Sequence, residues 1–158
     1  QSGFNPTLPE APAGQETIKI TSDGGIYFDM EDSVFVYLKN IRLTSPDFKM
    51  SCQDELKFYL NPKTETNSKQ DLKQIVATGK VVFIGQDEKG NTYIARASKA
   101  HYDAQTETTI LRGGYPSIQQ SANQYIQSKN EDGYIRIPKK GSIVTSSNSW
   151  ESKIVIPK

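Results

Sequence analysis

The residues able to do chemistry are few. The one histidine, His101, stands beside Tyr102 and Asp103, and the one cysteine, Cys52, follows Met50 by two positions. Nucleophilic catalysis needs a nucleophile with a base in reach, and a zinc centre needs several ligands at set spacings. Neither pattern occurs. Glu131-Asp132 precedes Gly133, a turn composition in which aspartate serves its own backbone. Gly24-Gly25 and Gly113-Gly114 lack the flanks of a phosphate loop. Cys52 reads as a small buried apolar residue, and a single cysteine forms no internal disulfide. No enzyme, metal or cofactor is expected, and a polysaccharide hydrolase would need a carboxylate pair that the sequence does not present.

Bulk composition narrows the partners. Lys+Arg 19 against Asp+Glu 18 gives a formal net charge of +1. General nucleic-acid binding asks for a far more basic surface. No run approaches the 18 apolar residues of a membrane span. At 158 residues one domain with a real core is expected. Residues 1–15, rich in proline, read as a flexible lead-in, and 16–158 as the domain.

That domain reads as a series of hairpins. The organising stretch runs from Ala100-His101-Tyr102-Asp103 through Leu111-Arg112-Gly113-Gly114-Tyr115-Pro116: strand, polar turn, strand, glycine bend. An earlier stretch has the same layout 74 positions before. Asp29 maps to Asp103, Tyr37 to Leu111 and Ile41 to Tyr115, which implies stacked copies of one β unit. Residues 17–22 alternate with Ile18 and Ile20 on one face. Further strands are expected at 26–29, 34–38, 41–44, 49–52, 56–60, 75–84, 92–97, 117–119, 124–127 and 134–137. Gly79 reads as a bulge inside the most β-rich run. Residues 61–74 read as an exposed loop, with a short helical turn an option around Asp71-Leu72-Lys73. Beyond Pro138 one more strand is expected at 153–156, and the tail 138–158 is open to disorder or to pairing with another chain. No 3.6-residue apolar period survives for two turns, so the class is all-β.

Several of these runs resemble the LptA/OstA-like family of lipopolysaccharide-transport proteins, with the LptC-like domain a near relative. Ile18-Lys19-Ile20-Thr21-Ser22-Asp23 is similar to the strand that opens that family's unit. Tyr37-Leu38-Lys39-Asn40-Ile41 resembles its apolar-x-Gly-Asn-Val bend, with Lys39 in place of glycine. Ala77-Thr78-Gly79-Lys80-Val81 keeps the glycine. Residues 97–103 followed by Leu111-Arg112-Gly113-Gly114 look like a further copy. The resemblance implies an open antiparallel β-jelly roll, or β-taco, with two sheets in a V. It also implies a periplasmic protein whose signal segment has been removed. That protein binds and bridges lipopolysaccharide, through lipid A, in outer-membrane biogenesis and associates edge to edge.

Such a function requires apolar side chains along an open trough, since acyl burial is worth about 0.8 kcal/mol per CH₂. The residues assigned to the trough are Ile18, Ile20 and Phe28 early in the chain. Phe35, Tyr37, Ile41, Leu43, Met50 and Phe58 follow. Ala77, Val81, Phe83, Ile94 and Tyr102 come from the middle, and Leu111, Ile118 and Ile126 from the end. Phe35/Tyr37 and Val34/Val36/Leu38 remain alternative inward sets, because a one-residue slip exchanges the faces. Arg112, Arg136, Lys139 and Lys140 are the expected contacts for lipid phosphates. The competing reading is a closed β-sandwich, an interaction or adhesion module with no lipid, since every sandwich buries such residues.

Overall fold

The computed structural model describes residues 17–62 and 71–157. The lead-in 1–15 lies outside them. The described residues form antiparallel strands and no helix, hence no helix long and apolar enough to cross a membrane.

The architecture follows from two long strands that each serve two sheets. β7 (Leu72–Gln86) and β8 (Thr92–Asp103) pair from Gln74–Asp103 to Gln86–Thr92, broken by a register shift between Thr78 and Val81. Gly79 makes that shift: its φ is +90°, and Lys80 follows at +44°. The bulge re-aims the backbone, so each strand leaves one sheet and enters the other.

On one side of the bulge lies the first ladder. β1 (Lys19–Thr21) pairs with β4 (Ile41–Thr44), β4 with β5 (Lys49–Cys52), and β5 with residues 82–84 of β7. Beyond β8 come β10 (Ser117–Ser121), β11 (Gln124–Ser128) and β14 (Trp150–Ile154). On the other side, β2 (Ile26–Asp29), β3 (Val34–Leu38) and β6 (Glu55–Leu60) lead into the first half of β7. The second half of β8 continues this second ladder into β9 (Thr108–Arg112), β12 (Tyr134–Ile137) and β13 (Val144–Thr145).

The bends between ladders stack into a spine. Asp23 N–H donates to Lys39 O (2.8 Å), Lys39 N–H to Asp54 O (3.1 Å), and Asp54 N–H to Thr78 O (3.1 Å). Farther along, Ser98 N–H donates to Gly113 O (3.0 Å) and Gly113 N–H to Gly133 O (3.1 Å). The two ladders are thus joined along one line. Among the described residues, at the outer limits β1 pairs only with β4, β2 only with β3, β13 only with β12 and β14 only with β11. The roll is open, not closed.

The repeat is written in the backbone. Ser33 and Glu107 both have φ of 52°; Lys39 (67°) matches Gly113 (82°), and Asn40 (49°) matches Gly114 (69°). Every pair is 74 positions apart. The turn before each unit is held the same way: Asp29 Oδ1 accepts from the Glu31 and Asp32 amides, and Asp103 Oδ1 accepts from the Gln105 amide. Aspartate closes such turns on its own backbone.

Two expectations are corrected. Asp71-Leu72-Lys73 is not helical: Leu72 opens β7 opposite Leu60, because ladder pairing overrides a weak local preference. Residues 63–70 of the expected loop lie outside the described residues. The last strand lies at Trp150–Ile154, not at 153–156, and it pairs within the chain along β11. Trp150 anchors it by donating from Nε1 to Ser146 O at 2.9 Å.

Candidate functional site: the interior and its mouth

Antiparallel register places directly opposed residues on one face. In the first ladder one row reads Ile20, Leu43, Met50, Phe83, Ala95, Ile118, Ile126. In the second, Tyr37, Leu56, Ala77, Ala100, Leu111 and Ile135 form one row, and Phe28, Phe35, Phe58, Ile75, Tyr102, Thr109 and Ile137 the next. One buried apolar cluster draws on both ladders, with Ile18, Ile20, Tyr37, Phe48, Phe58, Tyr102 and Ile126 packed partly exposed against it. Ile41 and Val81 belong to its sealed part, beside the spine.

Most of the residues assigned to the trough lie in these inward rows. Phe35 and Tyr37 share the face of the core, which settles the choice left open in β3. Val34 and Val36 lie on the opposite face, yet are buried as well. Ile94 is the exception. It opposes Ile84 and Gln119, on the outer face, while Tyr93 and Ala95 point inward. The period of two that places Ala95 and Ala97 inside puts Ile94 outside, whatever its hydrophobicity.

Burial grades along the interior. Near the spine, Ile41, Leu56, Ala77, Leu111 and Ile135 are sealed. Away from the spine the two ladders separate at a mouth. There a cleft of about 300 Å³ lies between Phe48, Phe83 and Tyr93 on one side and Tyr102, Thr109 and Ile137 on the other. Phe48, from the β4–β5 turn, bridges the gap: its ring stacks on Phe83 and tilts against Tyr102, each at 5.2 Å between centroids. The Ser45 hydroxyl and the Phe48 backbone hold that turn, with Oγ accepting from Phe48 N–H at 3.1 Å. Phe28 and Phe35 add a second aromatic pair at 4.4 Å, and Phe28 is 39% exposed. Tyr93, among these apolar walls, has its hydroxyl pKa pushed up to about 12, first by burial and then by the charge of Asp87. Burial alone raises Tyr37. Both stay neutral.

Phe48 and Tyr93 were not among the assigned residues. Phe48 sits in a turn, outside any alternating strand, and Tyr93 adjoins Ile94, the residue assigned on that strand. A parity count from Ala95 and Ala97 would have found Tyr93.

The four expected phosphate contacts do not converge. Arg112 opposes Lys99 and Tyr134 on the outer face, and its guanidinium lies 5.1 Å from the Tyr134 ring centroid. Arg136 opposes Ile110 on that same outer face. Only Lys139 reaches the mouth, where it lines the cleft and pairs with Glu107 at 3.1 Å. Lys140 is exposed one residue beyond. The arginines were misplaced because residues 112 and 136 have the parity of the outer face.

The spine, the two unsealed ladders and the shared apolar interior define the open antiparallel β-jelly roll of LptA-like proteins. Among solved structures the chain is similar to LptH, the LptA-homologous periplasmic component of the lipopolysaccharide transport device of Pseudomonas aeruginosa. The TM-score is 0.68 at 12% identity, over 90% of this chain and 96% of that one. No family model and no curated protein matches the sequence. Among the described residues no three His, Cys, Asp or Glu side chains are grouped to hold a metal.

Proposed function

We propose that this chain is a non-enzymatic, periplasmic carrier or bridging protein for lipopolysaccharide, taking acyl chains between its two ladders. The observation that carries the reading is the mouth: a half-exposed aromatic rim opening onto a continuous apolar interior, in a fold shared with a periplasmic lipopolysaccharide-transport component. Near the spine the interior is filled, so a tail enters at the mouth and displaces Phe48. A twelve-carbon chain brings roughly 9 kcal/mol of gross transfer free energy at about 0.8 kcal/mol per CH₂. Giving up the buried contacts of one phenylalanine costs about 3–5 kcal/mol. The gross gain of one chain exceeds that cost, and each further chain adds to the surplus that must offset the entropy lost on association. Lys139, already at the rim, is the cation placed to meet a lipid phosphate.

A second reading has its own support. Ile41, Leu56, Ile75, Ala77, Ala95, Leu111 and Ile135 are each 0% exposed, the packing of an interaction module that holds no ligand. One experiment separates the two. Phe48→Trp protein is titrated with purified lipopolysaccharide and run on a native gel. A saturable fluorescence change at position 48 with co-migration supports the carrier. Unchanged emission with no co-migration leaves an interaction module that holds no ligand.

A further inference from the structure

A second cleft lies on the outer face of the first ladder, across the sheet from the apolar interior. Its volume is about 560 Å³. The outward row of register runs Thr21, Arg42, Ser51, Val82, Arg96, Ser117. Arg42 and Arg96 stand three strands apart, about 14 Å at strand spacing. Between them the outer row is the small pair Ser51 and Val82. At the spine the cleft ends against Asn40, Gln53, Lys80, Ser98 and Gly114. The two flexible arginines can converge over this floor, and Lys80 faces them from its positive-φ position in the bulge.

Charge makes the cleft unusual. The chain as a whole is almost neutral, yet three exposed cations line this one site and no carboxylate does. Among the described residues none of the three forms an ion pair, whereas Lys57 and Lys139 do. The spine acids lie outside the lining: Asp23 Oδ2 accepts from Asn40 Nδ2 at 3.3 Å, and the Asp54 carboxylate lies against Gly79.

We propose that this outer cleft binds a phosphate-bearing group between Arg42, Lys80 and Arg96. A guanidinium presents two parallel donors that match phosphate oxygens, and a dianionic phosphate can engage both arginines at once. Ser51 and Gln53 supply neutral donors around it, and Asn40 keeps the amide hydrogen that it does not give to Asp23. The volume is that of a sugar phosphate or headgroup rather than of a bare ion. The site is on the opposite face from the mouth, so it stands or falls independently of acyl binding.

The test follows backbone amide and arginine side-chain NMR signals of the full chain during titration with sodium pyrophosphate, then with N-acetylglucosamine 1-phosphate. Co-sedimentation with phosphatidylglycerol vesicles forms a separate arm. Saturable shifts are expected at Arg42, Ser51, Lys80 and Arg96. Affinity should fall at least tenfold in the Arg42→Gln/Arg96→Gln double variant and stay within twofold of wild type in Lys89→Gln, a hairpin-tip control. Arginine-dependent binding of the sugar phosphate or of the vesicles supports the site and names its source. Binding of neither overturns it, as do shifts spread evenly over the surface cations or an equal loss in Lys89→Gln.

Discussion

At the scale of single residues, Cys52 shows how the interior sets chemistry. It lies in the buried cluster and donates from Sγ to Glu55 O at 3.4 Å. Burial, the largest cause, pushes its thiol pKa up to about 11, with the Asp54 charge acting in the same direction. Because the folded value lies above the unfolded one, the contribution to stability is fully present below the ordinary thiol pKa. It is lost as pH rises toward about 11. Reactivity follows the thiolate, so the native thiol is inert near neutrality. A disulfide-exchange reagent at pH 8 is expected to modify native protein at least tenfold more slowly than unfolded protein. Equal rates would place Cys52 outside the core. The sequence already read this residue as a buried small apolar one, because its neighbours alternate. It misread Ile94 because hydrophobicity is a weaker guide than parity where the inward positions are alanines. Ala95 is sealed, and Ala97 and Ala100 nearly so.

At the scale of elements, the bends carry the fold, and they differ in how much strain they hold. Lys39 adopts φ of 67° where its repeat partner is Gly113 at 82°. A left-handed conformation costs an L-residue about 1–2 kcal/mol. Glycine relieves that cost but gives back about 0.4–1 kcal/mol through the unfolded chain. Lys39→Gly should therefore range from neutral to about 1.6 kcal/mol stabilising. Gly79→Ala should do the opposite. At φ +90° an added Cβ also overlaps the Asp54 carboxylate, and the expected loss is about 1–3 kcal/mol. Urea unfolding of the two variants checks both signs, and a stabilised Gly79→Ala would refute the account of the bulge. The repeat was legible because glycine, aspartate and alternation are local signals. The outer cleft was not, since Arg42 and Arg96 are brought together only by the β4–β5–β7–β8 register. The β8–β9–β12 register carries Arg112 and Arg136 away from the mouth.

At the scale of the molecule, the open roll leaves sheet edges at both ends, and the two ends are not alike. The first ladder starts at β1, three residues long with Lys19 and Thr21 exposed, a short charged edge of the kind that discourages pairing. Beside it, β2 exposes Ile26 and Tyr27, each more than half accessible. At the far end β14 has β11 as its one ladder partner among the described residues, and the chain runs on through Ile154, Val155 and Ile156, all strongly exposed. Backbone groups without partners beside apolar side chains make a template for strand addition. The C-terminal end of one copy is therefore expected to add to the N-terminal end of the next. Such head-to-tail contacts do not close, so mass should grow with concentration rather than stop at a dimer. Light scattering across a hundredfold range of concentration reads this directly. Val155→Lys/Ile156→Lys places charge on exposed positions that the core does not use, so folding is retained while the edge is blocked. The variant should stay monomeric over the whole range. A wild-type mass that is flat with concentration, or growth unchanged in the variant, would mean that this edge does not assemble the chain. Any bridge would then have to be built from the β2 end.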